Sequence, residues 1–105
     1  MQVLGAIDAN DQLIEADLDG ATYYVGLSWN EEGQLWSLSL RDLDEVLLVS
    51  GIAVVPNGRL LRQVRRASFP KGDIVAATAL GKPLDRQSFI SGAAVLAYLS
   101  VDELI

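Results

Sequence analysis

Apolar and polar positions alternate along most of the chain with a period of two, the signature of half-buried strands. Gln12 to Asp17 places Leu13 and Glu15 on one side and Ile14 and Ala16 on the other. Ala21 to Trp29 alternates most cleanly. Tyr23, Val25, Leu27 and Trp29 share one face, and Thr22, Tyr24, Gly26 and Ser28 share the other. Leu35 to Arg41 repeats the pattern with Trp36, Leu38 and Leu40 against Ser37, Ser39 and Arg41. Asp19-Gly20 marks a turn before the second of these strands. Asn30-Glu31-Glu32-Gly33 suits a hairpin in which the glycine takes the left-handed residue. Trp29 and Trp36 then flank one hairpin, where a cross-strand aromatic pair is expected.

Further along, Asp42 to Glu45 reads as a turn and Val46 to Val55 as a long apolar strand. The Ser50-Gly51 pair inside it predicts a bulge or bend, where one strand serves two sheets. Pro56-Asn57-Gly58 is expected to end that strand. Leu60 to Arg66 fits a helical turn and an Arg-studded edge strand equally. Asp73 to Leu80 and Ala93 to Ser100 read as strands. Leu84 to Ser91 reads as a loop with a short helical or extended piece. Strands with turn signals about every ten residues indicate a barrel or sandwich. The expected fold is all-β: one antiparallel domain over residues 1–105, with six to eight strands counted from the turn spacing, short loops and room for one helical turn.

Composition narrows the chemistry. The chain has 105 residues, half of them hydrophobic, with no cysteine and no histidine. Disulfides, thiolate metal sites, His-dependent triads and His-ligated zinc or iron are excluded. Acidic runs at Asp8–Asp11 and Asp42–Glu45 lack the spacing of a calcium loop, and turn solvation accounts for both. No phosphate-cradling glycine pattern is present. Neither a cofactor nor a metal is expected, and no catalytic residue is assigned. Met1 to Gly5 shows no secretory signal, and no apolar run is long enough for a membrane-spanning helix.

Charge changes the picture more. Lys and Arg number 8 against 14 Asp and Glu, a net charge of −6. From Met1 to Glu45 the only base is Arg41, whereas Arg59 to Arg86 holds Arg59, Arg62, Arg65, Arg66, Lys71, Lys82 and Arg86 against Asp73 and Asp85. Two readings follow: internal pairing with a solvated surface, or a head-to-tail contact between copies. On the second, Arg59, Arg62, Arg65 and Arg66 form the interface and Asp42, Asp44 and Glu45 its acidic counterpart. The overall negative charge argues against nucleic acid as the partner of the basic stretch.

The order of three patterns adds a resemblance. They are the hairpin Leu27-Ser-Trp29-Asn30-Glu31 through Trp36-Ser-Leu-Ser-Leu40, the strand Gly51-Ile-Ala-Val-Val-Pro56, and the tail Tyr98-Leu99-Ser-Val-Asp-Glu-Leu104. Together they resemble the small baseplate plug proteins of contractile-tailed phages, first described for a cyanophage. The resemblance implies a non-enzymatic virion subunit near the baseplate axis, assembled in the host cytoplasm. It implies contacts with the hub, the end of the tail tube and the tape-measure protein, with several copies around the channel. In it, Trp29, Asn30, Trp36, Gly51, Pro56, Tyr98 and Leu99 read as fold-forming. A reading from a different class is a β-domain that binds carbohydrate or peptide through Tyr24 and neighbouring aromatics.

Overall fold

The computed structural model describes residues 2–5, 10–62, 69–78, 84–100 and 103. They form two antiparallel sheets and one short helix. One sheet runs in the order β2 (Asp11–Leu18), β3 (Ala21–Asn30), β4 (Leu35–Arg41), β5 (Leu47–Ala53). The other contains β1 (Gln2–Leu4), β7 (Ala94–Leu99) and β6 (Asp73–Thr78), with β7 in the middle. The helix α1 (Ser88–Ser91) precedes β7 and ends at Gly92 in the left-handed conformation. Of the two forms expected, the described residues fit a sandwich and form no closed barrel.

The four-stranded sheet is a meander built by local signals. Leu18 pairs with Ala21 across a two-residue turn in which Asp19 and Gly20 have φ of 55° and 82°. Positive φ at both centres is the hairpin turn whose twist matches the strands, and Asp-Gly supplies it at low steric cost. At the next hairpin the left-handed residue is Gln34, φ 53°, and not Gly33. The Asn30 side chain fixes that turn earlier by accepting the Gly33 amide at 3.0 Å.

Alternation then selects the core. Ile14, Ala16 and Leu18 of β2, Tyr23, Val25 and Leu27 of β3, and Trp36, Leu38 and Leu40 of β4 point inward. They meet Leu4, Ile74, Ala76, Leu96 and Tyr98 from the second sheet in one apolar cluster.

Gly51 bulges β5 a few residues before the chain passes between sheets. Leu40 opposes Val49, whereas Leu38 opposes Ile52, so Ser50 and Gly51 together face Ser39. Gly51 has φ 74°, a conformation glycine tolerates, and the strand bulges there. Beyond it the Val54 amide still donates to Trp36 O, at 2.9 Å. The chain then crosses to the other sheet. Pro56 does not end the pairing: it bridges to Ala76 in parallel, and the amides of Asn57 and Leu60 donate to Ala76 O and Ile74 O at 2.8 and 3.0 Å. Proline is tolerated because this is an edge position that requires no donor from it. Asn57 reinforces the join by accepting the Thr78 amide and donating to its hydroxyl.

A second clasp joins the sheets at the opposite turn. The Asp19 carboxylate accepts from the Tyr98 hydroxyl and from the amides of Lys71 and Gly72, and the Gly72 amide also reaches the Tyr98 oxygen at 2.7 Å. The β2–β3 turn is thereby tied to the start of β6 and the end of β7.

Candidate functional site

The basic stretch begins where the chain leaves the Pro56 bridge. Arg59 Nε lies 3.3 Å from Asp73 Oδ2. Asp73 is fully buried at the first position of β6, and its Oδ1 accepts the amides of Leu61 and Ile74, each at 2.8 Å. A buried carboxylate needs such donors and a counter-charge, so Arg59 has a structural duty alongside any role at the surface. Arg62 follows on the surface, exposed. Arg65 and Arg66 lie outside the described residues, as does Lys82. Arg86, at the far end of the basic segment, donates through Nε to Asn10 Oδ1 at 2.6 Å and stacks its guanidinium 5.6 Å from the Trp36 ring. The ion pair between described residues, Arg59 with Asp73, lies inside the basic segment and does not tie it to the acidic one.

The acidic group sits on the β4–β5 turn. Asp42 is bound into it: its Oδ1 accepts the amides of Asp44 and Val46 at 2.9 and 3.0 Å, and its own amide donates to Val46 O. Glu45 takes φ 62°, and Arg41 Nη1 donates to its carbonyl at 3.1 Å. The side chains of Asp44 and Glu45 stand exposed. Among the described residues no hydrogen bond or ion pair joins Asp42, Asp44 or Glu45 to Arg59 or Arg62. The structure adds one feature that the alternation did not suggest. Leu43, Val46 and Leu47 on the same turn are exposed, although all three are aliphatic.

The motif residues occupy the framework. Trp29 and Trp36 are register partners whose rings meet edge to face, centroids 5.3 Å apart. Trp36 also packs on Phe89 at 5.8 Å and donates Nε1 to Asp85 O at 3.0 Å, which holds the loop before α1 onto the hairpin. Trp29 Nε1 donates to Glu31 Oε2 at 2.5 Å. Gly51 forms the bulge, Pro56 the bridge, and Tyr98 the clasp. Leu99 pairs with Asp73 in the β6–β7 register. Trp36 and Tyr23 are buried, and Tyr24 is half-buried on the outer face of β3, so these aromatics do not make an exposed stacking platform.

Two open hollows accompany these features. One, of about 550 Å³, lies over the Asp19–Tyr98 clasp beside Tyr23, Phe69 and Lys71. The other, of about 370 Å³, runs beside the bulge and is lined by Val49 to Ala53, Val55, Arg59 and Leu60. Among the described residues no three acidic side chains converge as ligands for a metal ion.

A search of curated proteins found no match to the chain. A protein-family model, described as the cyanophage baseplate Pam3 plug gp18, matches residues 1–101. That span includes the tryptophan hairpin, the Gly51 bulge, the Pro56 bridge and the Tyr98 clasp. The chain belongs to the cyanophage baseplate plug family.

Proposed function

We propose that this chain is a non-enzymatic structural subunit of a contractile-tail baseplate, seated near the central axis. It contacts the hub, the end of the tail tube and the tape-measure protein. Copies of the chain form a homo-oligomeric ring, each a single domain over residues 1–105, assembled in the host cytoplasm and carried in the virion. The observation that carries this reading is the family match across residues 1–101. Charge supports the ring. Arg62 and the exposed acids of the β4–β5 turn are not paired with each other inside one subunit, so both are free to meet a neighbour. In this reading Arg59, Arg62, Arg65 and Arg66 face Asp42, Asp44 and Glu45 of the next copy.

The test is charge reversal. Arg62→Glu combined with Arg65→Glu is expected to block incorporation into tails, followed by gradient purification and mass spectrometry of the particles. Thermal unfolding of the isolated variant should stay close to that of the wild type. Incorporation at the wild-type level by a folded double variant would overturn the proposed contact. Absence of the wild-type chain from purified tails would overturn the baseplate reading itself.

A further inference from the structure

The β4–β5 turn combines two properties seldom found together on a free surface. Leu43, Val46 and Leu47 are exposed by 62, 56 and 46% within five consecutive residues, and Asp44 and Glu45 stand between them. Aliphatic side chains grouped at a hairpin tip gain nothing from water, and such clusters mark contact sites. The backbone of the tip is also braced by hydrogen bonds. Asp42 accepts two turn amides, and Arg41 binds the Glu45 carbonyl, so the backbone has less conformational entropy to lose on docking.

The same molecule carries a recess of the opposite character. The groove beside the bulge has an apolar floor at Ile52 and Leu60 and an exposed apolar wall at Val55, itself 52% exposed. Its floor is open at Gly51, where no atom lies within 4 Å of the position a Cβ would take. A cation, Arg59, lines the groove. Arg59 binds Asp73 through Nε, which leaves the Nη groups of its guanidinium for a second carboxylate, and Arg62 is exposed nearby in the chain.

We propose that the hairpin tip of one copy docks into the bulge groove of the next, with Leu43 and Val46 against Val55 and the Gly51 floor. Asp44 and Glu45 then meet Arg59 and Arg62. The occupant is a second copy because the same chain supplies both an acidic apolar knob and a basic apolar recess. A chain does not fill its own groove. Along β5, Leu47 and Gly51 lie four residues apart, roughly 13 Å of extended strand, which holds the tip away from the Gly51 end of the groove. Where the copy that receives the tip differs from the copy that fills the groove, the contact is heterologous and closes into a ring or runs on as a filament. This inference rests on the head-to-tail reading above and adds an apolar contact to the attraction between the charges.

The chain has no cysteine, so introduced thiols report the contact directly. Leu43→Cys is made in one preparation and Val55→Cys in a second that carries a size tag, both at exposed positions. The two are mixed at about 1 mM, a concentration that captures even weak association, and then oxidised. The expected product is the mixed disulfide in clear excess over either self-linked dimer, because only that pair brings Cα atoms within about 7 Å. A second variant, Leu43→Ser with Val46→Ser, should weaken self-association about tenfold or more at unchanged thermal unfolding. Self-linked Leu43→Cys dimers in excess, or no mixed disulfide at all, would overturn the proposal. So would wild-type affinity in the serine variant. Loss of association on Arg62→Glu with no effect of the serine pair would overturn the apolar knob and leave the charge contact standing.

Discussion

Tyr98 shares its hydroxyl between the Asp19 carboxylate and the Gly72 amide, so Tyr98→Phe removes one donor and one acceptor from the clasp between the sheets. The expected loss is about 1 kcal/mol in urea unfolding, the usual worth of a buried hydrogen bond. Unchanged stability would show that the clasp is incidental. Asp73 is more exacting, because its buried carboxylate serves the Leu61 and Ile74 amides and Arg59 together. Asp73→Ala should cost about 1–3 kcal/mol through donors left without an acceptor. Arg62→Ala, on the surface, should change stability by less than about 0.5 kcal/mol. The contrast separates two arginines that look alike in the sequence. The part of Arg59 in the fold was not legible there, since its partner lies 14 residues on and is buried only once β6 has joined the sheet. Asp19 is similar. It reads as a turn residue, and its clasp depends on Tyr98, 79 residues away.

Among the elements, β3 and β4 were legible almost to the residue because their information is local. A strict two-residue period, the Asp-Gly turn before β3 and two facing tryptophans across the β3–β4 hairpin are all local signals. The bulge at Ser50-Gly51 was legible for the same reason, but the passage to the other sheet expected there comes only after Val54. What escaped depended on distant partners. The three residues of β1 show no pattern of their own and become a strand only by pairing with β7. Pro56 looked like a terminator, yet it continues as an edge partner of β6. Gln34 took the left-handed position expected of Gly33 once Asn30 had capped the Gly33 amide. The aromatic hairpin gives the sharpest prediction at this scale. Trp36 is almost fully buried, touching Trp29, Phe89 and the loop at Asp85. Trp36→Ala should cost about 3–5 kcal/mol, with loss of the near-ultraviolet dichroism of the coupled indoles. Retention of full stability would mean that the tryptophan pair does not organise the sandwich.

At the scale of the molecule, a framework organised this thoroughly from within leaves function to its surface. Of the residues of the resemblance, Trp36 and Tyr98 are buried in the core and Gly51 and Pro56 shape the backbone at the surface, and the charged residues carry the proposed contacts. Opposite charge along the chain was plain from the sequence. The exposed aliphatic tip at Leu43, Val46 and Leu47 was not, because Val46 and Leu47 read as part of an ordinary apolar strand. Exposure depends on which neighbours arrive, and the alternation of one strand does not carry that information. The central claim is that copies of this chain assemble through complementary charge. Native mass spectrometry of the purified protein across ionic strength tests it most directly. The account predicts a closed oligomer whose population falls as salt rises from about 50 to about 500 mM, where screening shortens the reach of surface charges. A monomer at every ionic strength, or an oligomer that salt strengthens, would contradict it.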